Sequence, residues 1–221
     1  MPSPRPISSL RALTVALVLT SLLALPTAAQ DYEAQVQALM ADPSVQMAMD
    51  HIEATDEQTM ADLRMLTQIP APPFMEEERG RAFLARLQEI GVDSAWVDEV
   101  GNVIGQRRGT GGGEVLAIAG HLDTVFPEGT DVAITQRGDT LFAPGIADDT
   151  RGLATILAVL RAMNEAGVRT AGDILFIGNV GEEGVGDLRG MKHLFREGGP
   201  RIDAFISVDG TGHHGITHMG L

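Results

Sequence analysis

Residues 114–125 read EVLAIAGHLDTV: an apolar run, then a glycine, a histidine and, two residues later, an aspartate. With so little alternation, residues 114–119 read as a strand covered on both faces, as the parallel strands of α/β sheets are. Two later runs repeat the pattern. Residues 173–180 (DILFIGNV) lead into Gly181-Glu182-Glu183, and residues 204–208 (AFISV) lead into Asp209-Gly210. Helical periodicity separates the runs, over 150–166 (Leu153, Ile156, Leu157 and Leu160 on one side) and over 188–196. Such alternation predicts an α/β fold, with helices packed on both faces of a largely parallel central sheet. The functional groups of these sheets gather beyond the carboxyl ends of the strands, where His121, Glu182, Glu183 and Asp209 fall.

Working outward, residues 132–135 and 140–142 read as a hairpin turning at Arg137-Gly138-Asp139. Residues 92–97 and 102–106 read as short strands, and 75–90 as a helix with Phe83, Leu84, Leu87 and Ile90 along its stripe, stopped by Gly91. Residues 31–69 are helical and polar-rich, and Pro70, Pro72 and Pro73 end them. The glycines of 109–113 lack the strand-to-helix context of a phosphate cradle and read as a flexible turn. The chain thus divides into an export signal (1–29), a helical N-terminal segment (30–68) and one further domain (69–221).

The export signal rests on Arg5 and Arg11, an apolar stretch over 12–25, Pro26 and the small residues Thr27-Ala28-Ala29. That stretch is short for a bilayer span, so cleavage near Ala29, no stable membrane insertion, and a periplasmic or secreted location in a bacterium are expected. With no cysteine in the chain, disulfides and a cysteine nucleophile are excluded. The formal charge is −14, and −16 without residues 1–29, which hold two arginines and no acid. So acidic a surface disfavours nucleic acid and anionic membranes.

Each polar group at the strand ends has an ordinary reading by itself: a strand-end histidine, an Asp that caps a helix, a solvated Glu pair, a turn Asp. Together they form an ordered set of metal-type donors. Asp123 is spaced to accept a hydrogen bond from the ring nitrogen of His121 that does not bind metal. Asp148, in APGIADDTRG (143–152), is a natural carboxylate bridge between two ions. Successive residues point in different directions, so one of Glu182 and Glu183 can bind metal while the other faces substrate as a general base.

These motifs resemble the zinc-dependent exopeptidase family of peptidase T, carboxypeptidase G and the aminoacylases, and its tripeptidase-like branch most. The resemblance runs from residue 69 to 210 through IPAPPFMEEERGRAFLARLQEIGV, GNVIG, GHLDTV, GIADDTRG, GEEGVGDLRGM and ISVDG. It implies two Zn2+ ions, one held by His121, Asp148 and Asp209 and the other by Asp148 and Glu183. It further implies a cis peptide between Asp148 and Asp149, Glu182 as general base, and Asp123 beside it in the catalytic machinery. The implied activity is hydrolysis of small peptides by activated water, with N-acyl amino acids as the alternative substrate and a non-catalytic zinc-binding fragment as the alternative role. Members of the family continue into a lid domain, on which oligomers depend, and supply one more zinc histidine; a chain ending at Leu221 is expected to be the amino-terminal part. His213, His214 and His218 read as strand or turn residues rather than as that ligand.

Overall fold

The computed structural model describes residues 32–210, so the expected export signal and the histidines at 213, 214 and 218 lie outside the described residues. The helical N-terminal segment is three helices, α1 (Tyr32–Met40), α2 (Pro43–Ala54) and α3 (Asp56–Thr67). The break before α2 has a local cause. Asp42 stays extended, its carboxylate accepts from Ser44 N–H at 2.8 Å, and Pro43 occupies the first turn, where its missing N–H costs nothing.

The remaining elements are α4 (Glu77–Ile90), β1 (Ser94–Val97), β2 (Val103–Arg107), β3 (Leu116–His121), β4 (Thr135–Arg137), β5 (Thr140–Phe142), α5 (Arg151–Glu165), β6 (Ile174–Asn179), α6 (Arg189–Leu194) and β7 (Ala204–Ser207). The central sheet runs in the order β1-β2-β6-β3-β7, and β4 and β5 form a separate hairpin. β3 pairs in parallel with β6 and with β7. β2 is antiparallel to both of its neighbours, so it alone opposes the direction of the other four strands. The largely parallel sheet expected from the sequence is therefore present, with one reversed strand.

The alternation of β6 divides the core between the two faces. Ile174 and Phe176 join Leu66 of α3, Phe83 and Leu87 of α4, and Leu153, Ile156, Leu157 and Leu160 of α5. Leu175 and Ile177 face the other way, with Ala117, Ala119 and Leu194 of α6. Side chains of a strand alternate between faces, so a strand covered on both faces needs a continuous apolar run, as Ile174 to Ile177 of β6 provide. No helix among the described residues is long and apolar enough to cross a membrane.

Register then sets the edge. His121 lies opposite Asn179, and Ala119 lies opposite Ser207. Two residues beyond that last pair, His121 and Asp209 come level, while β6 has just ended ahead of Glu182 and Glu183.

Candidate metal centre

Four segments deliver the donors: the end of β3 (His121), the turn before α5 (Asp148), the loop after β6 (Glu182, Glu183) and the residues after β7 (Asp209). His121 Nε2 lies 2.9 Å from Asp148 Oδ1 and 3.7 Å from Asp209 Oδ1. Donor atoms of His121, Asp148 and Glu183 all fall within 4.8 Å of one another, and so do those of His121, Glu182 and Asp209. His121 is buried, whereas Asp148 and Asp209 are partly open to solvent. Both glutamates reach the histidine, so distance alone does not separate ligand from base. The Asp148–Asp149 peptide bond is cis.

Asp123 plays a different part from the one its spacing suggested. His121 Nδ1 lies 2.9 Å from the backbone carbonyl of Asp123 and 3.7 Å from its carboxylate. That distance is beyond a hydrogen bond, so the carboxylate acts on the ring through its charge. Its hydrogen bonds go to the loop after β6, where Oδ1 accepts from Glu182 N–H and Oδ2 from Glu183 N–H, both at 2.9 Å. Asp123 thus fixes the backbone of the two glutamates while its own carbonyl orients the ring.

Asp149, which the sequence reading named only as half of the cis peptide, is buried and holds the opposite side. Its carboxylate accepts from His121 N–H at 2.9 Å and from Gly152 N–H at 3.1 Å, joining the end of β3 to the start of α5. A β-carbon at residue 120 would lie 2.6 Å from Asp149 Oδ2, which is why a glycine precedes the histidine. Arg79 was also missed. It is fully buried, donating Nη1 to Leu122 O at 2.7 Å, and Nη2 and Nε to Ile69 O at 2.6 and 3.0 Å. A signal for it existed: Arg79 stands four and eight residues before Phe83 and Leu87, on the inward stripe of α4.

The electrostatics are those of acids crowded without compensation. Burial raises the pKa of Glu182, with Asp209, Asp123 and Asp148 adding to the rise against His121. Burial also raises Glu183, followed by the charge of Asp148. It pushes Asp149 up to about 8, Asp209 adding to this while His121 and the two amides oppose. For His121 burial works against the charged ring, yet Asp123, Asp149 and Asp148 outweigh it and raise its pKa to about 10. One imidazole among carboxylates suits a divalent ion such as zinc, and a cation there would relieve the repulsion. The residues present fit a metal.

Residues 117–219 match Peptidase family M20/M25/M40. Over that stretch the chain is similar to M20 peptidases. Among curated relatives, carboxypeptidase G2 of Pseudomonas sp. (strain RS-16) is 36% identical over 112 residues, half of this chain and 26% of that protein. A Pyrococcus abyssi protein named as a LysW-lysine/LysW-ornithine hydrolase is 32% identical over 166 residues, 75% of this chain and 44% of that one. The crystal structure of aminopeptidase PepT from Bacillus cereus ATCC 10987 superposes with a TM-score of 0.61 at 26% identity, covering 71% of this chain and 44% of that one. The chain spans less than half the length of these relatives.

Proposed function

We propose that this chain belongs to an exported di-zinc M20 exopeptidase that hydrolyses small peptides. The observation that carries the reading is the convergence of His121, Asp148, Glu182, Glu183 and Asp209 on one sheet edge, their backbone held by Asp123 and Asp149. His121, Asp148 and Asp209 would hold one zinc, and Asp148 with Glu183 the other. Bound there, zinc supplies the Lewis acid that polarises the scissile carbonyl and lowers the pKa of water. Glu182 takes the proton as a water oxygen attacks the carbonyl carbon, and then returns it to the leaving amine nitrogen. Its raised pKa moves it toward the neutral range in which a base must also serve as acid. With Nδ1 donating to the carbonyl of Asp123, Nε2 is the nitrogen left for a metal, which would displace the proton that the surrounding carboxylates hold there. Export is supported by the basic, apolar and small-residue order of residues 1–29.

The test pairs elemental analysis with hydrolysis of tripeptides and N-acyl amino acids by the 221-residue chain. Glu182→Gln is expected to retain zinc and lower kcat by about 10²- to 10⁴-fold, the usual worth of a general base. Glu183→Gln is expected to lose metal. A chain that binds no zinc, or hydrolysis indifferent to Glu182→Gln, would overturn the reading. Faster turnover of N-acyl amino acids than of peptides would make it an amidohydrolase of the same chemistry.

A further inference from the structure

The segment from Val180 to Gly190 carries both glutamates, and part of its backbone is strained. Asp187 and Leu188 sit in the left-handed region (φ 54° and 53°), where a β-carbon crowds the backbone. Something outside the loop must therefore hold it. Asp123 grips the middle, at the Glu182 and Glu183 amides. Its two ends meet one side chain, Asn102.

Asn102 is fully buried just ahead of β2. Its Oδ1 accepts from Val180 N–H at 3.1 Å, and its Nδ2 donates to Gly190 O at 3.0 Å. The same Nδ2 donates to Asp98 Oδ2 at 2.7 Å. Asp98 Oδ1 accepts from the amides of Val100, Gly101 and Asn102, so the turn that presents Asn102 is itself tied down. Gly190 N–H donates to Val180 O at 3.0 Å, closing the neck of the loop beside the amide. The fit leaves no spare room: a β-carbon at residue 190 would lie 2.3 Å from Asn102 Oδ1. Only a side chain with a donor and an acceptor on one planar end makes both neck contacts, which an aspartate or a leucine of similar size does not.

We propose that Asn102 is a positioning residue for the active-site glutamates: it clasps the neck of the Val180–Gly190 loop and so sets where Glu182 and Glu183 stand relative to His121. The proposal rests on the assignment of those glutamates to the metal site, and deepens it by naming what holds them. It also gives the reversed strand β2 a task. The strand sits beside β6, and the residue just before it reaches the loop that follows β6.

The experiment compares amide hydrogen exchange in the metal-free 221-residue chain between wild type, Asn102→Leu and Leu157→Ala, a core variant remote from the loop. Asn102→Leu is expected to speed exchange at Glu182 and Glu183 by about tenfold or more beyond any change at Leu175, Phe176 and Ile177 of β6, as a local opening does. Leu157→Ala should speed loop and strand together. In the zinc-bound chain, Asn102→Leu should weaken metal affinity by about 10- to 100-fold, the usual effect of losing an outer hydrogen-bond partner. If Asn102→Leu does not fold, Asn102→Asp, which keeps the acceptor and loses both donated bonds, should give a shift of the same sign. Loop and strand amides moving in equal proportion would overturn the proposal, making Asn102 an ordinary core residue. A wild-type chain that takes up no zinc would overturn the metal assignment instead, and the exchange comparison would still decide the role of Asn102.

Discussion

Replacing Arg79 with methionine tests how the floor beneath the site is held. The guanidinium makes three hydrogen bonds to two backbone carbonyls, one of them that of Leu122, between His121 and Asp123. Burial pulls its pKa down to about 10, against the charges of Asp123 and Glu76, so it is a buried cation that its neighbours keep charged. Hydrogen bonds to charged groups contribute about 1.5–3 kcal/mol each. Three give a gross loss of roughly 5–9 kcal/mol, from which relief of the buried charge must be subtracted. Methionine refills the volume of the stem but leaves the carbonyls of Ile69 and Leu122 without their donor. The net cost expected is about 3–5 kcal/mol, the gross loss reduced by the desolvation that the buried charge no longer costs. In urea, with a slope of about 2 kcal/mol per molar, the unfolding midpoint should drop by roughly 1.5–2.5 M at unchanged slope. Arg79→Lys, with charge but no fork, should fall in between. A methionine variant within about 1 kcal/mol of wild type would refute the reasoning, because the desolvation cost would then equal everything the three bonds return.

Three further outcomes follow from the same contacts. Asp62, nearly buried, takes Arg86 Nε at 2.8 Å and Arg161 Nη2 at 2.6 Å, joining α3, α4 and α5; Asp62→Ala should cost about 3–5 kcal/mol in the same urea assay. Gly152→Ala sets a β-carbon 2.1 Å from Asp149 Oδ1 and 2.6 Å from Val208 O, so it should destabilise by about 1–3 kcal/mol and weaken zinc retention, although alanine is the better helix former. In the metal-free chain His121 (about 10) and Asp149 (about 8) both hold protons more tightly folded than unfolded. Such groups stabilise below their unfolded pKa and lose that stability as pH rises through the folded value, so Tm in EDTA should fall from pH 5 to pH 9. Saturating zinc should flatten the fall, and a Tm rising over that window would contradict the assignment.

Much of this architecture was legible in the sequence, because a buried parallel strand announces itself by continuous apolar residues and β3 and β6 do so. Their ends pointed to His121, Glu182 and Glu183 for the same reason, and the run before Asp209 did likewise. The division of the N-terminal segment was readable too, from Asp42-Pro43, but polar-rich periodicity blurred it. What stayed hidden depends on contacts distant in sequence. The carboxylate of Asp123 serves amides 59 and 60 residues away, while spacing favoured the histidine two residues before it. Asp149 sat in the shadow of Asp148, since adjacent acids look interchangeable until burial distinguishes them. The reversal of β2 lay in a short strand whose composition carries no direction.

The donors are contributed by widely separated segments, His121 and Asp148 being 27 residues apart. Unlike ligand pairs a few residues apart, such a set offers the unfolded chain almost no chelate, because each ring closed around an ion would fix a long stretch of chain. An ion therefore cannot template folding here and can only reward a fold already assembled. Affinity for the native state is then converted almost entirely into stability, about 2.7 kcal/mol at a free concentration one hundred times Kd. If the proposed site takes up zinc, ambient zinc would thereby set the lifetime of this chain, and scarcity would expose it to proteolysis.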